Sequence, residues 1–387
     1  MNQQNGVAEL AAAPGVSDDL GPYLHYMVQA GASDLFLSVG APPTIKIDGR
    51  IASLGGSPLQ PGAVKRFAYS VMSDAQRREF ERELECDLGV PVMGLGRFRV
   101  NVYVQRGEVS LVVRHVKSHI PGFEELRLPK AVEQLALLRR GLVLVVGAAG
   151  SGKSTTLAAM LEYRNQTLPG HILTVEDPIE FVHRHKRCIV DQREVGLDTR
   201  SFHEALRHVL RQAPDVIMIG EIRDEETMRH ALHYAETGHL CLSTLHANNA
   251  NQAIERIIHF FPEGSRHQVL MDLSMNLRGV IAQRLIEGKA PGRVLASEMM
   301  LWSSYIAELI QKGEVDQIKS AIAKSGPVGM HTFDQSLYEL FRAGAITMEQ
   351  ALEHADSKTD LSLRIRLSQG LRPDGDSIGL EYGRGTV

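Results

Sequence analysis

The stretch Leu142-Val143-Leu144-Val145-Val146-Gly147-Ala148-Ala149-Gly150-Ser151-Gly152-Lys153-Ser154-Thr155-Thr156 reads as a strand, a loop and the start of a helix. Leu142 to Val146 is an unbroken apolar, β-branched run, the pattern of a strand buried on both faces of a parallel sheet. Gly147 to Ser154 fits G-x-x-x-x-G-K-[ST], and Thr155 to Leu161 continues as a good helix former. In such a loop the glycines let successive backbone N–H groups converge on phosphate oxygens, while the helix N-terminus adds partial positive charge. The candidate nucleotide-binding residues are therefore Gly147, Ala148, Ala149, Gly150, Ser151, Gly152, Lys153, Ser154 and Thr155. Lys153 is expected to reach the β- and γ-phosphates, and the Ser154 hydroxyl to ligate Mg²⁺. A nucleoside triphosphate is the expected ligand.

The rest of the chain is that of an ordinary folded protein. Its 387 residues exceed one typical core and predict two domains with trimmings. At 43% hydrophobic and 23% charged it matches globular composition. A formal charge of −4 argues against a dominant nucleic-acid footprint. Met1 to Val16 has no Lys or Arg and no apolar core, so a signal peptide is not expected. No apolar run approaches the ~20 residues that span a bilayer, which leads to a cytoplasmic expectation. Cys86, Cys188 and Cys241 stand apart, so neither a disulfide framework nor a zinc ribbon is expected. His183-Arg184-His185 sits among cations that would repel a metal, and reads as a solvated loop.

Residues 1–16 read as a leader and 17–31 as a short helix with Ser17 and Gly31 as its caps. Leu35–Val39 reads as a strand, and Thr44–Ile51 as a hairpin around Asp48-Gly49. Pro61 to Glu85 reads as helical. Arg97–Val104 and Glu108–Arg114 alternate polar with apolar residues and form a second hairpin at Gly107. An α+β domain over 17–114, a linker over 115–125 and a nucleotide domain over 126–365 follow. The nucleotide domain opens with a helix near Pro129–Arg139, then alternates strand with helix to about residue 290, which implies a mostly parallel sheet. Helical periodicity over 300–365 predicts a terminal helical bundle, and the composition of 366–387 predicts a disordered tail.

Three later strands carry chemistry. Ile172–Val175 delivers Glu176, Asp177 and Glu180 at a strand's carboxyl end, where open α/β sheets bind ligands. Val216–Gly220 delivers Glu221, followed by Arg223 and Asp224. Carboxylates there can order Mg²⁺ and its waters or accept a proton from attacking water. Leu240–Leu245 reads as a further strand with His239 at its start and His246 at its far end, where it could sense the γ-phosphate.

The loop Gly147–Ser154, the acidic box Glu176–Glu180, Gly220–Asp224 and the histidine box Gly238–His246 together resemble the four signature boxes of secretion-superfamily ATPases. Ala32–Leu37, Gly96–Asn101, Gln192–Gly196 and Ala235–His239 are similar to further segments of the type IV pilus retraction ATPases, the PilT/PilU family. The resemblance covers about residues 17–365. It implies an α/β fold class: a PAS-like α+β N-terminal domain, then a RecA-like P-loop NTPase domain with C-terminal helices. It also implies a Mg²⁺-dependent ATP hydrolase built as a homohexamer, at the cytoplasmic face of the inner membrane against a pilus platform protein, with no nucleic acid. Carried over by position, Glu180 is the general base, Glu221 the Walker-B-type carboxylate, and His239 and His246 the histidine-box members. Arg97, Arg99 and Arg114 match arginines that reach nucleotide at a subunit boundary, where they would neutralise charge on the transferring phosphoryl group.

Two departures sort the subfamily, the first away from assembly ATPases and the second toward the PilU-like branch, for which a PilT-like paralogous ring is a candidate partner. The chain lacks the paired C-x-x-C of assembly ATPases, and Ser303–Ile310 replaces the Ala-Ile-Arg-like segment of PilT-like chains. Lys312–Val315 and Gly329–Leu337 also resemble PilU. The competing readings are an ATP-binding ring that is mainly a structural partner of a PilT-like motor, and a RecA-like DNA translocase.

Overall fold

A computed structural model of the chain describes residues 20–47, 49–116, 119–290 and 292–368. Its contacts divide the chain into two compact units. Of the described residues, one comprises those up to 120 together with 173–186 and 190–208; the other comprises those in 121–172 and 187–189 and from 209 to 368.

In the first unit the elements run α1 (Gly21–Gln29), β1 (Asp34–Ser38), β2 (Thr44–Ile47), β3 (Arg50–Ser53), α2 (Ala63–Val71), α3 (Asp74–Glu83), β4 (Glu85–Val92), β5 (Gly96–Gln105) and β6 (Glu108–Val116). The six strands form one sheet in the order β3-β2-β1-β6-β5-β4. The two-residue period decides which face is buried: Phe98, Val100 and Val102 of β5, with Val109, Leu111 and Val113 of β6, pack against Leu24, Met27 and Phe67. The alternate residues of β5 include Arg97 and Arg99. Arg99 stands directly opposite Arg114 across the β5–β6 ladder. Like charges so placed repel, and each guanidinium has an acid beside it: Asp87 at 3.9 Å from Arg99, and Asp34 at 2.8 Å from Arg114.

Both expected hairpins form. Ile47 pairs Arg50 across Asp48-Gly49, and Gln105 pairs Glu108 across Arg106-Gly107. Arg106 and Gly107 both have positive φ, 52° and 77°, as a tight primed turn requires. The expected single helical stretch Pro61–Glu85 is two helices. It breaks at Met72-Ser73, where Ser73 and Gln76 form a reciprocal capping box that starts α3. Glu85 itself begins β4, a strand that was not expected, along which Cys86, Leu88, Val90 and Val92 alternate onto the core. The first helix begins at Gly21, so the expected Ser17 cap lies outside the described residues, as does the leader 1–16. Strand β6 runs through Val116, past the expected start of the linker.

The remaining elements are α4 (Ala131–Ala136), β7 (Gly141–Val146), α5 (Lys153–Thr167), β8 (Gly170–Glu176), β9 (Cys188–Glu194), α6 (Phe202–His208), β10 (Val216–Ile219), α7 (Glu225–Glu236), β11 (Leu240–Leu245), α8 (Ala250–Phe260), α9 (Arg266–Asn276), β12 (Leu277–Glu287), β13 (Arg293–Leu301), α10 (Ser304–Lys312), α11 (Ile318–Lys324), α12 (Phe333–Arg342), α13 (Met348–Glu353) and α14 (Lys358–Ser368). Among the described residues a seven-stranded sheet has the order β13-β12-β7-β11-β10-β8-β9. β7 pairs in parallel with β11 and β12, and β10 in parallel with β11. All six residues of β7 and of β11 are buried, as a strand covered on both faces of a parallel sheet requires.

The sheet departs from the parallel expectation at one edge, where β12 and β13 pair antiparallel over nine positions. The expected helical bundle therefore starts at α10, after β13. Helix α4 is shorter than the expected Pro129–Arg139. Helix α14 takes in residues 366–368 of the expected tail, and 369–387 lie outside the described residues.

Candidate functional site

Three parallel strands of the second unit end side by side. Val146 of β7 aligns with Leu245 of β11, and Ile219 of β10 with Ser243 of β11. The residues that follow, Gly147, Glu221 and His246, thus gather along one carboxyl edge, the ligand-binding edge of open α/β sheets. The edge is pinned by hydrogen bonds: the Ser243 hydroxyl donates to the Ile219 carbonyl at 2.7 Å, and the Thr244 hydroxyl to the Gly220 carbonyl at 2.6 Å.

The loop between β7 and α5 folds tightly on itself. A Cβ on Gly147 would collide with Ser151 Oγ and lie 2.6 Å from the Gln283 carbonyl oxygen, so no larger residue fits there. Lys153 opens α5, is 9% exposed, and donates from Nζ to the carbonyls of Gly147 at 3.0 Å and Ala148 at 2.9 Å. The Ser151 hydroxyl is buried and has no hydrogen-bond partner. A buried lysine at a helix N-terminus with an unmet hydroxyl beside it is a donor set that fits polyphosphate. A cavity of about 570 Å³ adjoins it, lined by Gly147, Ala148, His246, Asn248, Gln252 and Arg256 among others.

Glu221 has a mostly buried side chain, 16% exposed, that accepts from Arg223 Nε at 2.7 Å and lies 2.9 Å from His246 Nε2. Its carboxylate is thereby held by residues on both flanks; it and the Ser154 hydroxyl are oxygen donors, the kind Mg²⁺ takes. His239 lies at the other end of β11, seven residues or about 23 Å of strand from His246. There its Nδ1 meets Thr237 Oγ1 at 3.2 Å and the Tyr234 carbonyl at 3.3 Å. The fold brings His246 to Glu221 and does not bring His239.

The acidic box groups with the first unit. Glu176 is buried, where its Oε1 accepts from Thr174 Oγ1 at 2.7 Å and Gln192 Nε2 at 3.0 Å. Burial pushes its carboxyl above the ordinary range, against the pull of those donors. Glu180, by contrast, is exposed. Arg97 Nη2 lies 3.3 Å from Glu194 Oε2, and the same oxygen accepts from the Ile179 backbone N–H at 3.3 Å. The candidate arginine and the candidate base are thus linked through a β9 residue that sequence reasoning did not assign. The other miss is Gln283, a polar residue inside the apolar run of β12.

Residues 97–352 match the family described as Type II/IV secretion system protein. The chain is 52% identical to the type IV pilus ATPase PilU of Pseudomonas aeruginosa, over 92% of this chain and 93% of that protein. It is 46% identical to the type IV pilus retraction ATPase PilT of the same organism, over 87% and 98% of the two chains. A crystal structure of the pilus retraction motor PilT with bound ADP superimposes with a TM-score of 0.83, at 44% identity over 88% of this chain and 98% of that one. The Legionella pneumophila ATPase DotB gives 0.70 at 25% identity, over 86% and 94%. The two-part fold is that of these ATPases, an N-terminal α+β domain followed by a RecA-like ATPase domain. The chain belongs to the type II/IV secretion ATPases, within their PilT and PilU group.

Proposed function

We propose that the chain is an ATP hydrolase that drives or assists retraction of a type IV pilus, of the PilU-like kind. The observation that carries this reading is the strand-end cluster. A buried Lys153 in its loop, Glu221 clamped by Arg223 and His246, and an adjoining cavity stand together in a chain 52% identical to PilU.

Lys153 neutralises the β/γ-phosphates and the loop N–H groups orient them. Ser154 and Glu221 would hold Mg²⁺, which when bound neutralises charge on the phosphate oxygens. Glu180 takes the proton of the attacking water, and His246 fixes Glu221. The N-terminal domain, whose last strand runs through Val116, and the ATPase domain act within a homohexamer. In that ring Arg97, Arg99 and Arg114 approach a neighbour's nucleotide. The ring works at the cytoplasmic face of the inner membrane against a platform protein, beside a PilT-like paralogous ring. No helix among the described residues is long and apolar enough to cross a membrane.

The test is Lys153→Ala in the full chain. Phosphate release should vanish while the circular dichroism stays that of the wild type, because the Gly147 and Ala148 carbonyls that Lys153 bonds belong to the loop itself. Wild-type turnover in that variant would overturn the loop assignment. Light scattering with nucleotide should give the mass of six chains.

A further inference from the structure

Gln283 and Arg284 interrupt the apolar run of β12, and their side chains leave opposite faces of the strand. Ala282 pairs with Val146, the last residue of β7, so Gln283 lies alongside Gly147. Its carbonyl oxygen is the backbone atom that a Cβ on Gly147 would meet, at 2.6 Å. Its side chain, in a residue only 1% exposed, donates from Nε2 to Thr156 Oγ1 at 2.7 Å. Thr156 stands in the first turn of α5, three residues after Lys153. One residue therefore touches both ends of the loop, the first glycine with its backbone and the helix start with its amide.

The cost of that arrangement is visible. Gln283 Oε1 is buried without a hydrogen-bond partner, as is Ser151 Oγ, which packs against the same Gly147 position. An apolar side chain of this length would fill the space and leave no oxygen unmet. What it could not supply is the directional bond to Thr156. On the other face, Arg284 donates to the His354 carbonyl at 2.7 Å and to Asp356 Oδ1 at 2.8 Å, with its guanidinium 3.8 Å over the Phe333 ring. That brace fixes the strand segment from which Gln283 reaches.

We propose that Gln283 is a positioning residue for the phosphate-binding loop: its amide bond to Thr156 sets the start of α5, and with it Lys153, relative to Gly147. The inference rests on reading Gly147–Ser154 as that loop.

The experiment is a double-mutant cycle in the full-length protein, with Gln283→Met removing the donor and Thr156→Val the acceptor. KM for ATP and kcat are read from phosphate release, and the ADP dissociation constant from titration. Loss of one neutral hydrogen bond predicts a rise of about three- to tenfold in KM and in the ADP constant for each single variant, with kcat nearly unchanged. The double variant should lose no more than either single, because both remove the same bond. Thr156→Ser, which keeps the hydroxyl, should behave as wild type, and this pair stands even if Gln283→Met does not fold. Unchanged KM in the single variants, additive losses in the double, or a Thr156→Ser defect equal to that of Thr156→Val would overturn the proposal. Lys153→Ala, run alongside, separates the two readings. If it is inactive while the Gln283 and Thr156 variants bind normally, only the positioning role fails. If it turns over normally, the loop itself has been misassigned.

Discussion

Arg97 and Glu194 form a partly buried ion pair with Nη2 and Oε2 3.3 Å apart, and the carboxylate also receives the Ile179 backbone N–H, one residue before Glu180. Arg97 can thus serve either the fold or a nucleotide. Arg97→Ala leaves the Glu194 carboxylate buried without its cation, and the melting temperature should fall. Adding Glu194→Gln removes the stranded charge, so stability should return. If Arg97 serves a neighbour's phosphates, turnover in the double variant should stay depressed by about 10²-fold or more. Turnover that recovers together with stability would assign Arg97 to the fold alone.

Glu221 is the centre of a short chain, Arg223 to Glu221 to His246. Glu221→Gln keeps the shape and can still accept one hydrogen bond, but it loses the charge and basicity. ADP affinity should stay within a few-fold of wild type while kcat falls by about 10²-fold or more. A variant that bound ADP poorly yet hydrolysed ATP at the normal rate when saturated would contradict this role.

Glu298 predicts a pH dependence. It is 1% exposed; Oε1 accepts from the Ala250 N–H at 2.9 Å, at the start of the helix after the histidine box, and Oε2 has no partner. Burial raises its carboxyl above the ordinary value of 4.5, opposed by the Ala250 N–H and by Lys319 and Arg284. Between the ordinary and the raised value the native state holds more protons than the unfolded one. Stability is therefore lost as pH rises through that window, and stays lower above it. Glu298→Gln still accepts from Ala250 and cannot ionise. Its melting temperature relative to wild type should be higher at about pH 8 than at about pH 5. Glu176, raised in the same direction, is present in both proteins and cancels. A difference that does not change with pH would mean Glu298 carries no such penalty.

What could be read from the chain, and what could not, divides by range. β7 and β10 are continuous apolar runs and β11 a mostly apolar one, ending in a glycine motif, Glu221 and His246, so local pattern alone placed the site at their ends. The two arginine-bearing strands were legible because Phe98, Val100 and Val102 alternate with polar residues. Glu194 was not legible as a partner of Arg97, since 97 residues separate them and only the folded chain joins them. Gln283 lies 127 residues from Thr156 for the same reason. β4 escaped because Gly89 and Pro91, poor strand formers, interrupt the alternation of Cys86, Leu88, Val90 and Val92. Glu176 read as a strand-end carboxylate at the ligand-binding edge, whereas the fold buries it against Thr174 and Gln192.

The last prediction concerns the PilU-like character. Helix α10 keeps an apolar inner face, with Ile306, Leu309 and Ile310 buried and Ser303 capping its start by accepting the Ile306 N–H. The helix is thus intact over the Ser303–Ile310 segment, and it presents Tyr305, 54% exposed, outward. Such a ring can hydrolyse ATP with a complete strand-end cluster and still lack the outer segment by which a self-sufficient motor grips its membrane platform. Cells in which this protein is the only retraction ATPase should retract pili feebly or not at all, while purified protein releases phosphate normally. Restoring a PilT-like ring should restore retraction, and an additional Lys153→Ala in this chain should then reduce retraction force more than it reduces the number of retraction events. Vigorous retraction by this protein alone, measured on single pili, would make it a self-sufficient motor and remove the PilU-like reading.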